Sequence, residues 1–251
     1  MAHDPISFDL DGTLVDTASE IAEAVNRALA AHGIARRAPA EITRLIGAGM
    51  RELMLKLLAR MGMEQPSLAE RVQPDAILAS LDDHYARIIG TAAVPYDGCR
   101  EALSQLQAAG VRLACVTNKE SRHARRVLEA TALDEFFDLT IGGDSLPERK
   151  PHASVLRHVV ASLGGSAACT AHVGDSAIDV EAARHAGVTA WAVSYGYDAG
   201  GSIVDALPER TFGSLSELAG HVLLGRVVPG LDSIATRPGR AQFIDPPFKE
   251  Q

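Results

Sequence analysis

Only helix-patterned sequence lies between a short apolar run at Ile6 and Phe8 and the next strand-like run, Val111-Arg112-Leu113-Ala114-Cys115-Val116. Its apolar residues recur at helical spacing: Ile21, Val25, Ala28 and Leu29, then Leu53, Leu57 and Leu58, then Ile77, Leu78, Leu81, Tyr85 and Ile88. Gly47, Gly49, Gly62 and Pro74 punctuate these segments, and Thr17-Ala18-Ser19-Glu20 has the spacing of a capping box. The interval is roughly 80 residues, and a crossover between parallel strands needs about a dozen. Residues 17–95 are therefore expected to form a helical unit inserted after the first strand. Pro95-Tyr96-Asp97-Gly98 reads as the hinge by which the chain returns.

From there strands and helices alternate, the mark of a parallel sheet built from crossovers. Strands are expected at 111–116, 138–141, 169–173 and 188–193, with a weaker one at Thr211-Phe212. Helices fall between them, and a short one carries Leu215 and Leu218. The expected fold is α/β, a Rossmann-like parallel sheet core with an inserted all-helical cap domain. Residues 1–16 and 96–221 form the core, 17–95 the cap, and 222–251 a tail with Pro229, Pro238, Pro246 and Pro247 and no clear periodicity.

The 251 residues suffice for a real core, and 47% hydrophobic with 22% charged residues is ordinary for a soluble protein. A net charge of -8, with no basic stripe, argues against a nucleic-acid partner. No apolar run approaches the roughly 18 residues needed to span a bilayer, and Met1-Ala2-His3-Asp4-Pro5 does not resemble a signal peptide. Cys99, Cys115 and Cys169 are widely spaced in apolar strings, as reduced core cysteines of a cytoplasmic protein would be. A monomer or homodimer is expected.

In doubly wound sheets ligands bind beyond the carboxyl ends of the strands. Those ends carry a consistent set. The first offers Asp9 and Asp11, with Gly12 to turn both toward one site, and the second Thr117 and Asn118. Lys150 follows the loop beyond Ile141, and Asp175 ends the strand at 169–173, with Asp179 one helical turn on. Carboxylates, a hydroxyl and one ammonium at a single sheet edge describe a magnesium and phosphate site. Each has a plainer reading. Asp-Gly and Gly-Asp mark many turns, Thr117 can cap the next helix, and Ser176-Ala177-Ile178-Asp179 has capping-box spacing. Lys150 can be a surface lysine, although the chain has only four, at 56, 119, 150 and 249. The histidines show no paired ligand spacing and read as ordinary positions.

Asp9-Leu10-Asp11-Gly12-Thr13-Leu14-Val15-Asp16, Val116-Thr117-Asn118-Lys119, Lys150-Pro151 and Gly174-Asp175-Ser176-Ala177-Ile178-Asp179 together resemble the four ordered motifs of the haloacid dehalogenase-like hydrolases. Ile141-Gly142-Gly143-Asp144 and Ser194-Tyr195-Gly196-Tyr197 resemble the phosphoglycolate phosphatases within that superfamily. Two departures touch no catalytic position: Ala153 stands where proline is frequent, and Pro5 and Ser7 make the first strand less apolar than usual. The resemblance implies a magnesium-dependent phosphatase acting on a small phosphorylated metabolite, most simply 2-phosphoglycolate. Asp9 would be the nucleophile and Asp11 the acid and base. Thr117, Asn118 and Lys150 would hold phosphate, Asp9, Asp11 (through its main-chain carbonyl) and Asp175 would serve the metal, and Asp179 would orient the metal shell or Lys150. Arg44 or Arg51, beside Gly47 and Gly49, would meet a substrate carboxylate from the cap. A sugar-phosphate phosphatase or phosphomutase of the same superfamily is the nearest alternative. A phosphonate hydrolase would need Lys56 as its cap amine, and a dehalogenase would not need Asp11. A phospho-receiver domain would lack so large an insertion.

Overall fold

The computed structural model describes residues 3–69, 72–197, 202–226 and 242–246. Its strands are β1 (Ile6–Phe8), β2 (Val15–Asp16), β3 (Val94–Pro95), β4 (Leu113–Val116), β5 (Leu139–Ile141), β6 (Ala171–Gly174), β7 (Thr189–Val193), β8 (Arg210–Phe212) and β9 (Gln242–Ile244). The insertion holds α1 (Ala18–Ala31), α2 (Pro39–Thr43), α3 (Met50–Glu64), α4 (Pro66–Ala69) and α5 (Pro74–Ile88). Beyond it come α6 (Cys99–Ala108), α7 (Ser121–Ala130), α8 (Ala153–Ser162), α9 (Ala177–Ala186) and α10 (Leu215–Leu224).

Seven strands form one parallel sheet in the order β8-β7-β6-β1-β4-β5-β9. The chain runs outward from β1 through β4 to β5, then returns to the other side of β1 for β6, β7 and β8. Strand order therefore reverses at β1, the point at which such sheets open a crevice for a ligand. Strands β1, β4, β5 and β6 are buried throughout, as expected of a sheet covered on both faces by helices.

The insertion leaves and re-enters the core through an antiparallel ribbon, with Val15 opposite Pro95 and Asp16 opposite Val94. Ile21, Val25 and Leu29 of α1 are buried where α1 packs on α5, against Ile77, Leu81 and Tyr85. Burying each such side chain contributes about 1.5–3 kcal/mol, so these faces, more than helix propensity, hold the cap together. Helix α3 runs through Gly62, which the sequence marks as a break; Met61 behind it stays buried and anchors the last turn.

Three further expectations change. The Thr17/Glu20 capping box does not form. The Tyr197 hydroxyl instead accepts the Thr17 and Ala18 amides (2.6 and 3.0 Å), which leaves both side chains for other partners. Helix α10 continues to Leu224, because Val222 keeps the apolar face begun by Leu215 and Leu218. Gln242–Ile244, placed in the tail by sequence, adds β9 beside β5, with the Arg125 guanidinium 4.1 Å from the Phe243 ring. Three residues are too few to show a period. The rest of the expected tail, 227–241 and 247–251, lies outside the described residues.

Candidate active site

Asp9 follows β1 directly, its amide held by the Val173 carbonyl of β6 (2.8 Å), so its carboxylate sits in the crevice at the reversal point. Lys150 reaches it from the loop before α8. The Lys150 ammonium donates to Asp9 Oδ1 (2.8 Å), Asp179 Oδ1 (2.7 Å) and the Val116 carbonyl (2.7 Å), which uses all three of its protons. Burial alone would lower the Lys150 pKa, but the two carboxylates hold it above the ordinary lysine range. Burial pushes the Asp9 carboxyl up to about 6 despite that ammonium. Asp175 is also held well above the usual carboxylate range, by burial and then by Asp9 and Asp179 beside it. Asp179 goes the other way: burial opposes its charge, but Lys150 and the His172 hydrogen bond hold it well below the usual carboxylate range.

Asp179 divides its two oxygens between the helix cap and the buried network. Its Oδ2 completes a capping box with Ser176 at the start of α9, while Oδ1 takes Lys150 and His172 Nε2 (3.2 Å). Because Asp179 accepts, the network assigns the imidazole proton to Nε2, and Nδ1 then accepts from Ser7 Oγ (2.9 Å). His172, an ordinary position by sequence, thus belongs to a buried chain behind Asp9. Ser7 supplies its far end, which is why this strand is less apolar than usual.

Asp175 is packed between two glycines. A side chain on Gly12, whose φ is +88°, would meet Asp175 Oδ2 at 2.3 Å, and one on Gly196 would meet its Cβ at 2.2 Å. Its oxygens accept from Thr13 Oγ1 (3.3 Å) and the Tyr197 amide (2.8 Å). Ligand oxygens of Asp9, Asp175 and Asp179 lie within 4.8 Å of one another and are buried. Three clustered carboxylates with one ammonium leave excess negative charge, and a hard divalent cation fits both that charge and the all-oxygen donor set. The Asp11 carboxylate is not one of this group. A second grouping, Asp82, Glu120 and His123, lies at the seam of cap and core, but Arg122 already pairs with both of its carboxylates.

The carboxylate cluster has a measurable consequence. Asp9 titrates higher in the fold than its ordinary value of 3.8, so ionising it costs stability as pH rises from about 4 through 6. A bound cation removes that cost. The unfolding midpoint of protein stripped with a chelator is expected to fall relative to cation-loaded protein, with the gap wider at pH 8 than at pH 5. Thermal unfolding at both pH values checks this; a gap that narrows as pH rises counts against the cluster as a cation site.

Asp11 turns toward the cap. Its Oδ1 accepts from Thr17 Oγ1 (2.6 Å) and its Oδ2 pairs with Lys119 Nζ (2.9 Å). Lys119 also donates to the Tyr85 hydroxyl of α5 (2.7 Å), which lies 3.4 Å from Glu20 Oε1. Thr117 does not cap α7, whose N-cap is Glu120; its hydroxyl accepts the Lys119 amide (3.2 Å). The Asn118 amide group donates to the Gly47 carbonyl of the cap (3.1 Å) and to the Lys150 carbonyl (3.0 Å), while its Oδ1 is buried without a partner among the described residues.

Cap and core close a small cavity of about 20 Å³. Its core side is Asp9, Asp11, Thr117, Asn118 and Lys119, and its cap side is Ile21, Ile46, Gly47, Gly49, Met50 and Leu53. Arg44 and Arg51, expected to meet substrate there, are exposed and do not line it. Met50 and Leu53 share the inward face of α3, and one residue along a helix is a turn of about 100°. Arg51 lines a neighbouring cavity with Leu78, Leu81 and His123 instead. Lys56 is exposed as well. Sequence reasoning passed over Lys119, Tyr85 and Thr17; the scarcity of lysine that marked Lys150 marks Lys119 equally.

A parallel sheet with a helical insertion over a buried carboxylate cluster defines the class of fold and site. The haloacid dehalogenase-like hydrolase family matches residues 6–193. The chain belongs to that family. It is 36% identical over 211 residues, 84% of this chain and 93% of the relative, to a phosphoglycolate phosphatase of Colwellia psychrerythraea. It is 38% identical over 192 residues, 76% and 79% of the two chains, to a phosphoglycolate phosphatase of Caulobacter vibrioides. Among solved structures, a predicted phosphoglycolate phosphatase of Haemophilus somnus 129pt superposes with a TM-score of 0.82 at 28% identity, covering 87% of this chain and 97% of that one. No helix among the described residues is long and apolar enough to cross a membrane.

Proposed function

We propose that the chain is a magnesium-dependent phosphatase that converts 2-phosphoglycolate to glycolate and phosphate through an aspartyl-phosphate. One observation carries the reading. The Asp9 carboxylate is buried against Lys150, within a carboxylate cluster that suits a hard cation, and lines a cavity between cap and core. The names of the relatives and the resemblance of the four motifs support the same substrate.

An Asp9 oxygen attacks phosphorus, and the bond to the glycolate oxygen breaks as Asp11 gives that oxygen a proton. Asp11 then takes a proton from the water that attacks the acyl phosphate, which releases phosphate and restores Asp9. Asp9 and Asp175 would hold magnesium, with the Asp11 main-chain carbonyl. When bound, the ion neutralises charge on the phosphoryl oxygens. Both Asp179 oxygens are engaged by protein donors, so Asp179 acts by holding Lys150 in place. Thr117 donates a hydrogen bond to a phosphoryl oxygen, and Lys150 balances charge on the transferring group.

With magnesium, kcat/KM for 2-phosphoglycolate is expected to exceed that for hexose phosphates by at least about tenfold, because the apolar cap residues Ile21, Ile46, Met50 and Leu53 offer no partners to the hydroxyls of a sugar ring. Phosphate is expected to be released once per substrate consumed. A hexose phosphate preferred over 2-phosphoglycolate would favour the sugar-phosphate reading, and isomerised sugar phosphate without free phosphate would indicate a mutase.

A further inference from the structure

If the substrate carries a carboxylate beside its phosphate, some cation in the closed cavity must meet it. Arg44 and Arg51 are turned away. Arg149, nearer the cavity mouth beside Gly49, pairs with Glu52 (3.3 Å) and does not line the cavity. Lys150 has spent its three protons. Among the described residues lining the cavity, Lys119 is the one cation. Its side chain is 1% exposed, and the structure gives its ammonium two partners, Asp11 and Tyr85. An ammonium has three protons, so one N–H remains for an acceptor in the cavity.

We infer that Lys119 is the specificity residue of this site: its remaining N–H receives the carboxylate of a small phosphorylated hydroxy acid. The inference rests on the phosphatase reading above and adds which side chain selects the acid. Three features make the position suitable. Lys119 follows β4 by three residues, so the same rigid strand end that presents Thr117 to the phosphate presents the ammonium to the far end of the molecule. The surrounding cap residues, Ile21, Ile46, Met50 and Leu53, are apolar, so a carboxylate there has little else to bond with and the charge pair is poorly screened. Asp11 anchors the ammonium from the core, and Tyr85 is a second partner from the cap.

The test compares 2-phosphoglycolate with ethyl phosphate, which replaces the carboxylate by a methyl group. Wild-type enzyme is expected to prefer 2-phosphoglycolate. In Lys119→Met the ratio of the two kcat/KM values is expected to fall about 10- to 100-fold, the usual worth of a charge-assisted hydrogen bond, and inhibition by glycolate to weaken in parallel. Loss of the Asp11 pairing slows both substrates alike and cancels in the ratio. A wild-type preference that survives intact in Lys119→Met overturns the inference and leaves the phosphatase reading standing. Absence of any preference in the wild type overturns both. Tyr85→Phe frees the ammonium of one partner without removing it, so this variant is expected to keep the wild-type ratio even if Lys119→Met does not fold. A ratio in Tyr85→Phe as low as that expected for Lys119→Met also overturns the inference.

Discussion

Asp9→Asn is expected to lower turnover of phosphomonoesters by at least about 10⁴-fold while the chelator-stripped protein unfolds at the same temperature or higher. The two halves have one cause. Asp9 is the group assigned to attack phosphorus, and an amide of the same shape is no nucleophile. The carboxylate is also expensive to keep. Burial holds its pKa near 6, and the ammonium that would compensate it is shared with Asp179. Asparagine removes the charge without opening a cavity, and Lys150 keeps Asp179 and the Val116 carbonyl. The stabilisation by magnesium should shrink together with activity, because one member of the cluster is gone. Phosphate release and thermal unfolding with and without magnesium measure both. Near-normal activity in Asp9→Asn rejects the nucleophile assignment.

Lys150→Met is expected to remove activity and to cost about 3–5 kcal/mol of stability near neutral pH, because it strands two buried carboxylates. For a chain of this size that is a fall of roughly 6–20 °C in the unfolding midpoint. The side chains have similar length, so packing contributes little to the difference. Asp179 holds its charge because of Lys150 and His172; without the ammonium it keeps the imidazole and the capping box. The double variant Lys150→Met/Asp179→Asn is expected to recover part of the stability and none of the activity. Urea unfolding of the single and double variants measures the coupling, and a Lys150→Met protein as stable as wild type would show that Lys150 is not the counter-ion of this cluster.

What could be read in the sequence follows from how far each signal reaches along the chain. Strand ends are local, so Asp9, Thr117 and Asp175 could be assembled by one topological rule once the parallel sheet was recognised. The capping box of Asp179 is local too, and it forms. The box at Thr17 has the same spacing and does not, because Tyr197, 180 residues away, caps α1 and frees Thr17 for Asp11. The pairing of Lys119 with Tyr85 crosses from core to cap over 34 residues, and no periodicity encodes it. Arg51 is turned outward about the axis of α3, whose inward face takes Met50 and Leu53, and Arg44 is exposed at the end of α2. The short strand β9 carries too few residues to announce itself.

The antiparallel ribbon at Val15–Asp16 and Val94–Pro95 puts the exit and re-entry of some eighty residues side by side. A foreign helical bundle spliced between those two points would need no altered sheet register to close. The helical half of the molecule is therefore a graft on the sheet, and another bundle can take its place by evolution or by an engineer.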